Sequence, residues 1–120
     1  MDIETTMGNQ LARYMDMATD LTKVTAANMA NIDTPGYTTL GLDFESEMRQ
    51  ALGDVVLGKS ARHPQLNRVV DGLIARPDGN NVSMDRESLK MAEAQLKFKT
   101  AVSLLRIENQ RITDAIHADK

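Results

Sequence analysis

The sequence predicts an all-α protein in which two long amphipathic terminal helices, paired as a helical hairpin or two-stranded coiled coil, flank a loop-rich, partly mobile middle segment. Three observations predict it. Apolar residues recur in alternating steps of three and four over both ends of the chain, the seam spacing of paired helices. Of the seven glycines, five lie in the stretch that follows Gly36, together with Pro64 and Pro77, and none follows Gly79. The composition has eight methionines, no tryptophan, two phenylalanines and two tyrosines. Methionine fills the irregular gaps between helices, whereas the large rings that dominate most cores are scarce. A chain of 120 residues forms one domain, divided into an N-terminal helix and turn (1–37), an insert (38–81) and a C-terminal helix (82–120). A core this lean predicts helices that rely partly on neighbours for burial.

The first helix is predicted from about Thr6 to Ile32. Leu11, Tyr14, Ala18, Leu21, Thr25, Asn28 and Ile32 form its seam, with Met7, Met15 and Met29 widening the stripe. Pro35 fixes its own φ and pushes Thr34 out of the α region, so the helix stops before Thr34. Pro35-Gly36 then has the chemistry of a type II turn, with glycine supplying the positive φ. Asn28 and Asn31, three apart, lie on one helix face. They are candidates for hydrogen bonds to a neighbouring helix or back to the turn, and Tyr37 for packing at its exit.

In the middle, Leu42, Phe44, Met48 and Leu52 predict a short helix ending before Gly53. Leu66, Val69, Val70, Leu73 and Ile74 form apolar runs ambiguous between strand and helix. Asp78-Gly79-Asn80-Asn81 is a turn signal, because these residues tolerate left-handed backbone. Ser83 then reads as an N-cap, with Asp85 and Glu87 placing negative charge in the first helical turn. The C-terminal seam runs through Met84, Ser88, Met91, Gln95, Phe98, Val102, Leu105, Asn109, Ile112 and Ile116. A helix over that stretch spans about 50 Å, more than so short a chain covers by itself. The polar seam members either specify register and partner or face solvent at the edge of a broader stripe.

The formal charge is −3, which argues against nucleic acid as a partner. Residues 1–40 carry two basic and five acidic side chains, residues 82–120 seven basic and six acidic. Cysteine is absent, which excludes disulfides and thiolate metal sites. His63 sits in a loop and His117 near the chain end, neither at metal-ligand spacing. No glycine-rich phosphate cradle, nucleophile elbow or regular calcium loop occurs. The reading is therefore a non-enzyme with no cofactor, no metal and no small-molecule substrate. No apolar run approaches the ~20 residues of a membrane helix, and the first 30 residues lack the pattern of a cleavable secretory signal. A helical adaptor or export-chaperone-like protein would show the same features.

One motif narrows this. Ala26-Ala27-Asn28-Met29-Ala30-Asn31-Ile32-Asp33-Thr34-Pro35-Gly36-Tyr37 resembles the N-terminal signature of the bacterial flagellar rod, hook and hook-associated axial proteins, with Thr38-Thr39 where a basic residue is common. Asp78 to Glu87, Met91 to Phe98 and Leu42-Asp43-Phe44 are similar to the proximal-rod members of that family. Arg62-His63-Pro64 resembles their His-Pro loop, with Gln65 replacing the second basic or His position expected nearby. The resemblance implies a structural subunit of the basal-body rod in the periplasmic space, assembling through its terminal helices. It implies exit from the cytoplasm through the flagellar type III export apparatus without a cleaved signal. The partners it implies are other rod subunits, the rod–membrane-ring junction protein and the export apparatus. Asn28, Asn31, Asp33, Thr34, Pro35, Gly36 and Tyr37 become the assembly and turn motif. Leu11, Tyr14, Ala18, Leu21, Met91, Phe98, Val102, Leu105, Ile112 and Ile116 become the contact seam.

Overall fold

A computed structural model describes residues 5–68 and 70–118. Among them are three helices, α1 (Thr6–Ala30), α2 (Phe44–Val56) and α3 (Met84–His117), and no strand. Each helix starts on a side-chain cap that satisfies a free N–H of the first turn. The Thr5 hydroxyl accepts from Gly8 N–H at 2.8 Å, the Asp43 carboxylate from Ser46 N–H at 3.2 Å, and the Ser83 hydroxyl from Arg86 N–H at 3.3 Å. Glu45, Glu47, Asp85 and Glu87 add negative charge where the dipoles of α2 and α3 favour it.

Helix α1 stops at Ala30, earlier than the Ile32 expected from periodicity. The N–H of Asn31 still bonds to the carbonyls of Ala27 and Asn28, and the chain then tightens into the turn. Helix α2 runs through Gly53, where the sequence suggested a stop, and ends at Val56, with Leu57 as its C-cap and Gly58 beyond it. There φ is +70° and Lys59 N–H reaches back to Asp54 O at 2.8 Å, the closure of a Schellman end. An interior glycine costs a helix only about 1 kcal/mol, so context overrides it.

Helices α1 and α3 are antiparallel, since Asn28 meets Glu87 at one end and Thr5 meets Glu108 at the other. The result is an elongated hairpin of 70 × 26 × 21 Å, with α2 laid against α1 on one side. Helix α3 has 34 residues against 25 in α1, and its last turns project past Thr5. The buried apolar core is a narrow strip of Leu11, Met17, Ala18, Leu21, Met48, Val82, Ala94 and Ala101. Tyr14 and Phe44 pack edge to face at 5.3 Å beside it, with the Lys97 ammonium 5.0 Å from the Phe44 ring centre.

The remaining chain runs over the hairpin as irregular loops. Arg13 donates to Lys59 O at 3.1 Å, and Arg62 pairs with the nearly buried Asp54 at 3.1 Å. Gly41 and Asn67 exchange two backbone hydrogen bonds of 2.7 and 3.0 Å. A Cβ on Gly41 would lie 2.7 Å from Asn67 Oδ1, so a larger residue there would displace the Asn67 side chain. The ambiguous run from Leu66 to Ile74 forms neither helix nor strand among the described residues; Val69 lies outside them.

Candidate functional site: the turn clasp and the helix faces

The turn motif and the Asp78–Asn81 loop, far apart in sequence, form one interlocked structure. At its centre is Asn28, completely buried on the last turns of α1. Its Oδ1 accepts from the Tyr37 hydroxyl at 3.0 Å and from Leu40 N–H at 2.9 Å. Its Nδ2 donates to Leu40 O at 2.9 Å and to Glu87 Oε2 at 3.1 Å. Both donors and both acceptor positions of the amide are used, which is what burial of a primary amide demands. Glu87 is itself 1% exposed. It is held by Asn28, by the Arg86 guanidinium and by its place in the first turns of α3.

Asn80 plays the matching part from the other loop. It too is fully buried, and its Nδ2 donates to Asn31 O at 2.8 Å and Thr34 O at 2.9 Å. Its Oδ1 accepts from Val82 N–H at 2.9 Å, which sets the path into α3. Gly36 N–H donates to Asp78 O at 2.8 Å, and Asn81 N–H to Tyr37 O at 3.3 Å. The Asn81 side chain accepts from the N–H and hydroxyl of Thr39, at 2.7 and 2.9 Å. Arg76 donates from its guanidinium to Ile32 O. The two loops touch glycine to glycine: a Cβ on Gly79 would stand 3.3 Å from Gly36 Cα, and both residues have positive φ.

The turn thus has a fixed inner side and an open apex. Tyr37 N–H bonds to Thr34 O at 3.2 Å and Gly36 has φ of +74°, which closes the turn that Pro35-Gly36 predicts. Asn31 bonds locally, donating to Ala27 O at 2.8 Å and accepting from the Thr34 hydroxyl at 3.0 Å. Asp33, Thr34, Pro35 and Gly36 are exposed, whereas Asn31 and Tyr37 are half-buried. No buried side-chain nitrogen or oxygen among the described residues lacks a partner. This arrangement ties the exit of α1 to the start of α3.

The seam residues fall into two sets. On α1, Leu11, Ala18 and Leu21 are buried against the rest of the hairpin and Tyr14 is half-buried; the polar members Thr25 and Asn28 are also buried. On α3, Met91, Val102, Leu105 and Ile112 are half-buried, while Phe98 and Ile116 are exposed, as are the polar positions Ser88, Gln95 and Asn109. The residues of α3 that sink completely between the helices are Glu87, Ala94 and Ala101, seven apart. Sequence reasoning missed that line. Its signal was the heptad spacing of two alanines, which let the backbones approach but carry little weight in an apolar pattern.

No protein-family model matches the chain. Three curated relatives carry the same description, flagellar basal body rod protein FlgB. The protein of Salmonella typhimurium is 34% identical over 100 residues, covering 69% of this chain and 72% of its own. That of Cereibacter sphaeroides is 33% identical over 105 residues, covering 78% of each. That of Escherichia coli K12 is 35% identical over 100 residues, covering 69% and 72%. On these likenesses the chain belongs to the FlgB family of flagellar basal body rod proteins.

Proposed function

We propose that the protein is a structural subunit of the proximal rod of the flagellar basal body, and that it assembles by burying faces of α3 that its own fold leaves open. One observation carries this reading. Around α3, only the line through Glu87, Ala94 and Ala101 is fully covered by the protein itself, while Leu89, Leu96, Phe98, Leu104, Ile107 and Ile116 remain exposed. These six do not share one stripe. At 100° per residue, Phe98 and Ile116 point to one flank of the hairpin and Leu89, Leu96 and Ile107 point away from α1. A helix that is apolar on several sides is a helix with several neighbours. Interfaces between copies whose rotation does not close produce open helical assemblies.

Within this reading the partners are other rod subunits, the rod–membrane-ring junction protein and the flagellar type III export apparatus, which delivers the chain into the periplasmic space without cleavage of a signal. No helix of the described residues is long and apolar enough to cross a membrane. The clasp serves as the angle piece that presents α1 and α3 in one fixed relation. The reading is tested by labelling the subunit and locating it by electron microscopy in purified basal bodies. The label is expected in the membrane-proximal rod; a compact dimer confined to the cytoplasm would instead identify an adaptor or export chaperone.

A further inference from the structure

The chain holds two Asp-Gly pairs, Asp71-Gly72 and Asp78-Gly79. Such a pair can close on itself, because glycine has no side chain to shield its nitrogen or limit rotation of the peptide group. The glycine nitrogen attacks Cγ of the aspartic acid, a C–N bond forms, and the carboxyl hydroxyl leaves with the N–H proton as water. Water then adds to either carbonyl of the five-membered imide and breaks one of its two acyl C–N bonds. One break restores aspartate. The other leaves isoaspartate, whose backbone runs through the side chain and is one carbon longer. Both pairs are exposed, and both glycines have positive φ, +82° and +85°. Neither access to solvent nor glycine conformation therefore tells them apart.

What differs is the freedom of the peptide group between the two residues, which must rotate to bring nitrogen onto Cγ. At Asp78-Gly79 it is tied at both ends: Asp78 O accepts from Gly36 N–H at 2.8 Å, and Gly79 N–H donates to Arg76 O at 2.8 Å. The Asp78 carboxylate is held as well, accepting at Oδ1 from Asn80 N–H at 3.0 Å, with Arg76 Nε 3.8 Å away. At Asp71-Gly72 neither the carbonyl nor the N–H bonds to any of the described residues, and a Cβ on Gly72 would meet nothing within 4 Å. We propose that Asp71-Gly72 is a site of spontaneous isoaspartate formation in the folded protein, and that the clasp shields Asp78-Gly79 from the same reaction. The Arg68 guanidinium donates to Thr38 O at 3.3 Å and that of Arg76 to Ile32 O, one on each side of residue 71. An added backbone carbon at 71 therefore falls between two anchors and leaves the clasp intact. At 78 it would shift Asp78 O from Gly36 and Asn80 from Asn31 and Thr34. The inference does not depend on the rod-subunit reading.

The test ages the whole purified chain at neutral pH, once folded, as checked by circular dichroism, and once in guanidinium chloride. Electron-transfer fragmentation of its peptides then marks isoaspartate at its own position. In the folded chain isoaspartate is expected to accumulate at least about tenfold faster at 71 than at 78, where two hydrogen bonds must open before the ring can close. In guanidinium chloride the two rates are expected to converge to within about threefold, because the unfolded chain lacks the clasp. Equal rates in the folded chain, no isoaspartate at 71, or a difference that persists in guanidinium chloride overturns the proposal. As a second measurement, Asp71→Asn and Asp78→Asn keep the oxygen acceptor but release ammonia in place of water on closing the ring. Ammonia is expected quickly from the folded Asp71→Asn chain and slowly from the folded Asp78→Asn chain. Equal release, or the reverse order, contradicts the shielding.

Discussion

Asn28 and Glu87 are the residues on which the clasp turns. Each Asn28 amide atom bonds twice, so no replacement preserves the set. Asn28→Asp converts the donor facing Glu87 Oε2 and Leu40 O into a second carboxylate. Loss of both Nδ2 donations and the approach of two carboxylates in a buried site are expected to cost about 3–5 kcal/mol, enough to unfold much of so lean a protein; urea denaturation checks it. Tyr14 gives a milder, pH-linked effect. Burial raises its pKa above the ordinary value of 10.0. The folded state therefore holds the phenol proton longer than the unfolded state, and stability falls as pH rises from the unfolded pKa through the folded one. Tyr14→Phe is expected to remove that part of the alkaline loss, measured as the change in melting temperature above pH ~10.

Between the helices, size decides more than hydrophobicity. Ala94 and Ala101 are wholly buried where α3 crosses α1, so Ala94→Leu must push the helices apart. A cost of about 1–3 kcal/mol follows from overpacking, whereas Leu96→Ala on the open edge is expected to change monomer stability by no more than ~0.5 kcal/mol. Thermal melts of the two variants check the contrast. The same contrast explains what the sequence revealed. Pro35, Gly36 and Ser83 act through local backbone rules, so the turn and the start of α3 were legible from their immediate neighbours. The long helices were legible because Leu11, Leu21, Leu105 and Ile112 repeat. The buried line of α3 was not, because alanine is silent in an apolar pattern and Phe98, the strongest signal, stands outside. Nor did anything local announce that Asn80 would reach Asn31 and Thr34, since that pairing exists only after the hairpin closes. Gly53 misled because packing of Met48 and Leu52 carries α2 past it.

The whole molecule is a bar stiffened at one end. The clasp joins α1, the Pro35-Gly36 turn and α3 by a dense set of hydrogen bonds, whereas at the other end, among the described residues, the Thr5 hydroxyl donates to Glu108 at 3.3 Å and α3 projects beyond. Amide exchange of the monomer is expected to show a gradient, slow around Asn28 to Val82 and Glu87 and fast beyond Glu108, because buried contacts set local opening. Uniform strong protection along α3 would contradict it. A subunit built this way keeps its geometry at the clasp and leaves its long helix open for partners. The most direct test asks whether α3 is covered on assembly. Phe98→Cys provides a single thiol in a chain that has none, at a site 39% exposed in the monomer. A soluble maleimide is expected to label it rapidly in the monomer and hardly at all in intact basal bodies. Equal labelling of the two would contradict the account.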